Sequence, residues 1–124
     1  MLLVEAQKAA LAAAGAAKDA KAKEVVVLDL RGLSFVTDFF VIGSGDSDIQ
    51  VQSIADKVME EMEKIGTKVL RIEGYREARW VLLDYGDVVV HIFHRDIRSF
   101  YNLERLWWDA PVLEGSYPLE NSEI

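Results

Sequence analysis

The sequence predicts an α/β or α+β domain in which a mixed five-stranded sheet is flanked by helices. Five short runs rich in β-branched and aromatic residues have the composition of strands, and two longer segments have the composition and apolar spacing of helices. The order is helix, strand, strand, helix, strand, strand, strand and short helix, which is typical of a mixed sheet covered by helices. With 124 residues, 51% of them hydrophobic, the chain can build one core but not two. We expect a single domain over residues 1–112 and a flexible tail over residues 113–124.

Composition and charge argue against several classes of protein. The sequence contains no cysteine, so it offers neither disulfides nor thiol chemistry and is compatible with the cytoplasm, where we expect the protein to act. No apolar run approaches the ~20 residues that a membrane-spanning helix needs, so no membrane partner is expected. Residues 24–124 carry ten basic and nineteen acidic side chains, a net charge of −9. This charge disfavours binding to DNA or to naked rRNA and favours a basic protein as partner.

Residues 2–22 predict an N-terminal helix because they are rich in alanine, the best helix former. One face of this helix would carry Leu2, Leu3, Ala6, Ala10 and Ala13. We expect the helix to fray near Gly15. Polar residues interrupt any apolar stretch that a secretory signal would need, and the lack of arginine together with the presence of acids argues against a mitochondrial transit peptide.

The first two strands are predicted at residues 24–30 and 39–42. The first run, EVVVLDL, is almost continuously apolar, as expected of a strand that is covered on both faces. A break at Arg31 and Gly32 ends it. The second run, FFVI, is followed by the Gly-Ser-Gly sequence of residues 43–45.

The most regular helical pattern begins at Ser47. Steps of three and four residues separate Val51, Ile54, Ala55, Val58, Met62 and Ile65, which predicts one apolar stripe. Ser47 and Gln50 have the spacing of a capping box, and Gly66 can adopt the left-handed conformation that ends helices.

A β-hairpin is predicted from two runs, residues 80–84 and 88–93. Both are rich in β-branched and aromatic residues, and the Gly-Asp pair within residues 85–87 favours a tight turn between them. Residues 67–73 alternate less regularly and predict the strand that precedes the hairpin.

A short helix is predicted between the hairpin and Pro111. Its pattern consists of Ile97, Phe100, Tyr101, Leu103, Glu104 and Trp107. Residues 73–111 hold all three tryptophans and three of the four tyrosines, more large amphipathic side chains than a small core requires. We therefore expect some of them to face a partner.

The glycine-rich stretch of residues 43–48 allows an enzymatic interpretation. A glycine-rich turn before a helix can hold an anion, and Asp46 and Asp48 could bind Mg²⁺. However, two carboxylates would repel a phosphate without a metal between them, and no lysine or arginine lies between Gly32 and Lys57. Serine and aspartate are also ordinary capping residues, which favours a structural role.

The two histidines, His91 and His94, do not predict a metal site. Residues three apart on one strand point to opposite faces, so they cannot bind one metal together. We expect His91 to be satisfied by hydrogen bonds within the sheet. No serine has the sequence context of a catalytic nucleophile. We therefore predict no catalytic residue, no metal and no cofactor.

Alternation along the first hairpin strand separates two sets of side chains. Val81 and Leu83 are predicted to face the core, while Trp80, Leu82 and Asp84 point to the other face. A covering helix could bury the second set. If the set is uncovered, an aromatic anchor beside an acid suits an interface with a basic protein.

Several ordered motifs resemble the ribosomal silencing factor (RsfS, Iojap) family. They are LD at residues 28–29, TDFFVI at 37–42, SG at 44–45, QV at 50–51, IAD at 54–56, EG at 73–74, WVLLDYGDVVVH at 80–91 and YNLERLW at 101–107. The resemblance covers about residues 5–112. It implies a nucleotidyltransferase-like topology that lacks the catalytic carboxylates.

The resemblance also implies a function. A non-enzymatic factor of this kind binds the fourteenth protein of the large ribosomal subunit on the intersubunit face, blocks subunit association and represses translation under nutrient limitation. The partner-binding residues that the resemblance implies are Trp80, Leu82, Asp84, Tyr85, Tyr101, Leu103, Glu104 and Trp107. We add Glu73 and Arg98 as further predicted partner-binding residues. The alternative is a metal-dependent nucleotidyltransferase-like enzyme that uses residues 43–48. A homodimer of the free protein is left open.

Overall fold

The computed structural model describes residues 3–101 and 110–114, which form three helices and six strands. In chain order these are α1 (Leu3–Asp19), β1 (Lys23–Asp29), β2 (Phe39–Gly45), α2 (Asp48–Lys64), β3 (Arg71–Glu73), β4 (Trp80–Asp84), β5 (Val88–His94), α3 (Arg95–Tyr101) and β6 (Val112–Glu114). The strands form one sheet in the order β3-β4-β5-β2-β1-β6. Strands β2 and β5 run parallel, and the other four pairs are antiparallel. The predicted mixed sheet with flanking helices is confirmed, with six strands where five were expected.

The sheet has two apolar faces, which differ in their side chains and in the elements that pack against them. The helix-covered face packs against α1 and α2, and its strand residues are Val25, Val27, Phe39, Val41, Val81, Leu83, Val88, Val90 and Ile92. The aromatic face is built on Val26, Leu28, Ile42 and Phe93, with Phe40, Trp80 and Ile97 packed against them. Strand β1 contributes to both faces, and Val26, Val27 and Leu28 are all fully buried. This confirms the prediction that the first strand is covered on both sides.

Helix α1 continues through Gly15 to Asp19, so the predicted fraying near Gly15 is wrong. Its alanines are buried over a wide face that comprises Ala6, Ala9, Ala10, Ala13, Ala14, Ala16 and Ala17. Such small side chains allow α1 to lie close to α2 and to the sheet. Tertiary packing of this face outweighs the penalty of about 1 kcal/mol for one glycine within a helix.

Helix α2 begins with a capped turn at Ser47. The Ser47 Oγ accepts a hydrogen bond from the Gln50 backbone N–H at 3.1 Å, as the capping box predicts. The Gln50 Oε1 returns to the N–H of Asp46 at 2.6 Å, one residue before the cap. The two bonds of the capping box therefore involve both Asp46 and Ser47, and they hold the end of β2 against the start of α2.

At its other end, α2 is terminated by Gly66, whose φ is +83°. The Gly66 N–H bonds to the carbonyl of Glu63 and the Thr67 N–H to that of Met62, the pair of bonds that defines a Schellman motif. Ile65 lies at the cap and is 52% exposed, so its predicted place in the buried stripe is wrong. Helix α2 ends at Lys64, so Ile65 does not continue the buried stripe.

Both edge strands differ from the predictions. The strand predicted over residues 67–73 is reduced to β3, whose residues are all exposed, because pairing with β4 begins only at Arg71. At the opposite edge, Val112 pairs with Leu28 and Glu114 with Val27 of β1, so the tail predicted from residue 113 begins as a strand. This pairing satisfies backbone groups of β1 that would otherwise form a bare edge. The rest of the predicted tail lies outside the described residues, as does the predicted helix beyond residue 101.

None of the helices in residues 3–101 and 110–114 combines the length and the apolar character needed to cross a membrane.

Candidate partner-binding surface

Strand β4 places three predicted site residues on the aromatic face. Trp80, Leu82 and Asp84 are half-buried, and they alternate with Val81 and Leu83, which are fully buried on the helix-covered face. The predicted division of this strand is therefore confirmed. Among the described residues, no helix covers the first set as completely as α1 and α2 cover the second.

The register of the hairpin follows from its two-residue turn. Tyr85 and Val88 are joined by a hydrogen bond of 2.8 Å from the Tyr85 N–H to the Val88 carbonyl, and Gly86 has φ +87°. Glycine with positive φ at the first central position is what a type II′ turn requires. The Asp84 Oδ1 accepts from the Gly86 N–H at 2.8 Å and holds the turn from the aromatic face.

Acidic side chains border the surface where it meets strand β3. Glu73 is directly opposite Leu82, and Arg71 is directly opposite Asp84. The Arg71 guanidinium lies 2.9 Å from the Glu73 carboxylate and 3.8 Å from that of Asp84. Two acids and one base leave a net negative border. Because the Arg71 and Glu73 side chains are largely solvated, these ion pairs contribute little to stability.

Aromatic rings occupy the side of the surface next to β5. The Trp80 ring stacks on Phe93 with centroids 5.1 Å apart, and its Nε1–H donates to the Nδ1 of His91 at 3.1 Å. His91 in turn meets the edge of Phe40 with centroids 4.5 Å apart. His91 is only 3% exposed, whereas Trp80 and Phe40 are half-buried. The indole therefore packs on a layer of aromatic rings in which His91 and Phe93 are buried.

Strand β4 begins at a close backbone approach that only glycine allows. Gly74 has φ +77°, and a Cβ placed on it would collide with the carbonyl of Trp80. The Gly74 carbonyl accepts from the N–H of Ala78, which is buried and itself has φ +58°. This tight loop sets the position of the Trp80 backbone.

Two predicted partner-binding residues, Tyr85 and Arg98, are buried and are not part of the exposed surface. Tyr85 lies on the helix-covered face, where burial raises the pKa of its hydroxyl to about 12. Within the described residues that hydroxyl has no hydrogen-bond partner. The Arg98 guanidinium donates to the Ser44 Oγ at 2.8 Å and to the Lys23 carbonyl at 3.3 Å. It thereby fastens α3 to the first two strands.

The remaining predicted site residues belong to the C-terminal part of the chain. Tyr101 is the last residue of α3. Leu103, Glu104 and Trp107 lie outside the described residues, so their assignment stays a prediction.

The glycine-rich stretch of residues 43–48 serves packing and capping. A Cβ on Gly45 would lie 3.0 Å from Val51, so glycine allows α2 to approach β2 closely. Asp46 is paired with Lys23 at 2.7 Å and lies 3.9 Å from Arg95. The hydrogen bond from Lys23 is the main cause that lowers the Asp46 pKa. No lysine or arginine lies between Gly32 and Lys57 in the sequence, but Lys23 and Arg95 reach this stretch from β1 and α3.

The histidines occupy separate environments, as predicted. His91 belongs to the aromatic face, while the His94 Nε2 lies 3.9 Å from the Asp48 carboxylate at the start of α2. His91 was predicted to be satisfied by hydrogen bonds. Its Nδ1 accepts one, but its Nε2 lacks a partner among the described residues. In that same part of the chain, no group of three or more His, Asp or Glu side chains could hold a metal ion.

Sequence reasoning missed an exposed apolar loop and the bond between Trp80 and His91. Leu33, Phe35 and Val36, in the loop between β1 and β2, are 47%, 108% and 87% exposed, and the composition of that loop gave no sign of this. The bond could have been found. A two-residue turn fixes Leu82 opposite His91, which makes Trp80 and His91 diagonal neighbours within reach of long side chains.

Comparison with known proteins gives a consistent result. The family model described as "Ribosomal silencing factor during starvation" matches residues 4–123. The chain is 51% identical over 102 residues to the ribosomal silencing factor RsfS of Halalkalibacterium halodurans, covering 82% of this chain and 87% of the relative. The RsfS of Bacillus subtilis is also 51% identical over 102 residues, with 82% and 86% covered. The chloroplastic protein Iojap of Zea mays is 40% identical over 105 residues, which are 85% of this chain and 46% of that protein.

Solved structures agree in fold. A crystal structure of a Bacillus halodurans protein superimposes with a TM-score of 0.77 at 47% identity, covering 87% of this chain and 98% of that chain. The protein CV0518 of Chromobacterium violaceum superimposes with a TM-score of 0.80 at 32% identity, with 95% and 91% covered. The family match extends to residue 123, beyond the limit near residue 112 that the motifs suggested. The chain belongs to the ribosomal silencing factor family.

Proposed function

We propose that the protein represses translation by binding the fourteenth protein of the large ribosomal subunit on its intersubunit face. The bound protein then blocks the small subunit from joining, which reduces translation under nutrient limitation. Family membership supports a ribosomal partner, since the curated relatives are named ribosomal silencing factors. The fourteenth protein as the target and the steric mechanism are our proposal.

A single observation carries the choice of surface. Trp80 and Leu82 are half-buried on strand β4, with the acids Asp84 and Glu73 beside them. Partly exposed tryptophans supply much of the energy of protein interfaces, and an acidic border suits a basic partner. The net charge of −9 over residues 24–124 favours a basic ribosomal protein over rRNA as the direct contact.

Sedimentation tests the ribosomal partner. The purified protein is mixed with separated ribosomal subunits at moderate salt and run on a sucrose gradient. We expect it to migrate with free large subunits and to reduce the formation of joined ribosomes. Absence from the large-subunit fractions would reject the proposal, and tight binding to protein-free rRNA would reject the protein-mediated contact.

The Trp80→Ala variant tests the surface. At an interface hot spot, truncation costs about 2 kcal/mol or more, which corresponds to more than a tenfold loss of affinity. The control is Val81→Ala, a neighbouring change on the helix-covered face, which should lower the urea midpoint and leave the affinity of the folded protein unchanged. If Trp80→Ala lowers only the stability and the folded fraction binds normally, the surface is assigned wrongly.

We also propose that the protein is not a nucleotidyltransferase. Its Asp46 carboxylate is engaged by Lys23, and Ser47 and Gln50 are used in capping α2. Incubation with labelled nucleoside triphosphates, Mg²⁺ and candidate acceptors should give no transfer. Turnover that disappears in an Asp46→Ala, Asp48→Ala double variant would establish the enzymatic alternative instead.

A further inference from the structure

His91 is a buried polar residue in the middle of an otherwise apolar and aromatic layer. It is 3% exposed and lies between Phe40, with ring centroids 4.5 Å apart, and Trp80, at 6.0 Å. Its ring is nearly parallel to that of Phe93, at 6.4 Å. A phenylalanine would fill such a site with less desolvation. The presence of histidine therefore requires a reason.

That reason lies in the hydrogen bond from Trp80. The indole Nε1–H donates to the His91 Nδ1 at 3.1 Å, which requires an imidazole whose Nδ1 carries no proton. The proton must then be on Nε2, which is buried and unpaired among the described residues. Burial also lowers the pKa of His91 to about 3, which keeps the ring neutral. Among the described residues, the histidine thus leaves its own Nε2 without a partner while it satisfies the indole.

The hydrogen bond fixes a direction that stacking alone leaves free. Stacking on Phe93 holds the plane of the Trp80 ring but allows it to slide or turn within that plane. The bond to Nδ1 ties one edge of the indole to β5. Trp80 is therefore held in one orientation before any partner arrives.

We infer that His91 is a positioning residue for the partner-binding surface and holds the Trp80 indole in the orientation that the partner recognises. The inference rests on the proposed function, because it assumes that Trp80 contacts the ribosomal partner. His91 itself is too deeply buried to touch the partner. It acts by removing the need to order a large side chain on binding, and this kind of pre-organisation commonly changes affinity by about three- to tenfold.

A double-mutant cycle tests the inference with four proteins: wild type, His91→Phe, Trp80→Phe and the double variant. Affinity for purified large ribosomal subunits is measured for each. We expect His91→Phe to weaken binding about three- to tenfold, and we expect the double variant to bind no more weakly than Trp80→Phe alone. The double variant replaces both hydrogen-bonding partners with apolar rings, a change that is close to neutral for folding. Val90→Ala, a buried change on the other face of β5, controls for a general loss of stability.

A second readout follows the indole directly. The chain has three tryptophans, and the Trp80 Nε1–H resonance is the one that Trp80→Phe removes. In His91→Phe this resonance should move upfield as its hydrogen bond is lost, whereas Val90→Ala should leave it in place.

The outcomes separate the two proposals. If wild type binds and Trp80→Ala weakens binding, but His91→Phe binds like wild type, the inference is wrong and the proposed surface stands. The inference is equally wrong if the losses from His91→Phe and Trp80→Phe multiply in the double variant. If wild type fails to bind large subunits, the proposed function is rejected, and the role of His91 is rejected with it.

Discussion

The two faces of the sheet place the side chains of one hairpin in different surroundings. On the helix-covered face, Val81 and Leu83 are fully buried among aliphatic side chains and the alanines of α1. On the aromatic face, Trp80 and Leu82 are half-buried beside charged residues and a buried histidine. Adjacent residues of β4 thus belong to a core and to a surface in strict alternation. Under the proposed function, stability and partner binding can therefore be altered separately by changes one position apart.

The sharpest separation uses two leucines in one strand. Leu83→Ala should destabilise the protein by about 2–5 kcal/mol, because a fully buried leucine leaves a cavity. Leu82→Ala removes the same atoms from a half-buried position, so we expect a smaller loss of stability and a clear loss of affinity for the large subunit. Urea unfolding and subunit binding are measured on both variants. Equal losses of stability would show that both faces are core.

A second difference between the faces should appear as a dependence on pH. Since the pKa of His91 is about 3 in the folded protein and 6.5 when unperturbed, protonation favours the unfolded chain. The stability from neutral His91 is complete above about pH 6.5 and is lost as the pH falls toward 3. Between pH 6.5 and 4.5 this loss amounts to about 2–3 kcal/mol.

Urea midpoints at pH 6.5 and 4.5 measure this loss, with His91→Phe as the comparison. The variant should lose markedly less stability over the same interval. At lower pH, carboxylates with lowered pKa values, such as Asp29 beside Arg31, add their own losses. An identical pH dependence in wild type and variant would contradict the proposed neutral, buried state of His91.

The position of β4 relative to its loop gives a third comparison, between two glycines with positive φ. Gly74→Ala should cost about 2 kcal/mol or more, because the new methyl group would meet the Trp80 carbonyl in addition to the strain of the left-handed conformation. Gly66→Ala, with no heavy atom of the described residues within 4 Å of the added carbon, should cost about 1 kcal/mol. The two urea midpoints should differ accordingly. If Gly74→Ala lowers the stability less than Gly66→Ala does, the loop does not set the position of Trp80.

The smallest effects should come from the acidic border. Glu73→Gln and Asp84→Asn should slow association with the large subunit a few-fold at low salt, and the difference should fade as the salt concentration rises. Asparagine keeps an acceptor for the Gly86 N–H, so the turn should persist. Glu63→Gln on α2 controls for net charge. If all three variants slow binding equally, long-range charge and not the border is responsible.

Periodicity and turn chemistry were sufficient for much of this fold. The capped helix α2, the hairpin with its two-residue turn and the division of β4 into two faces were all predictable, because each depends on local spacing. Ordered family motifs then identified the family and directed attention to Trp80. Alternation left open whether Trp80 is covered or exposed, and its half-buried state lies between these two alternatives.

The features that sequence missed depend on contacts between distant residues. Strand β6 forms because β1 offers it a free edge. The sequence of residues 112–114 does not indicate this pairing. The pairing of Asp46 with Lys23 and the bond from Arg98 to Ser44 join elements that lie far apart in the chain. Gly15 stays helical because of the packing of α1, which local propensity cannot reveal.

The parallel ladder between β2 and β5 has a consequence for how the molecule assembles. Each antiparallel hairpin joins strands that are close in the chain, whereas this ladder pairs Phe39 with Val88 across the whole of α2, β3 and β4. The entropy cost of closing such a long loop falls before most of the contacts that the ladder gains. We therefore expect the β1–β2 pair and the β4–β5 hairpin to form early and to pair with each other late. The β4–β5 hairpin contains Trp80, His91 and Phe93, so the contacts of the indole can form within it, whereas the contact of His91 with Phe40 forms only when β2 pairs with β5. A nascent chain would accordingly orient Trp80 in the hairpin first and complete the layer beneath it only when the parallel ladder forms.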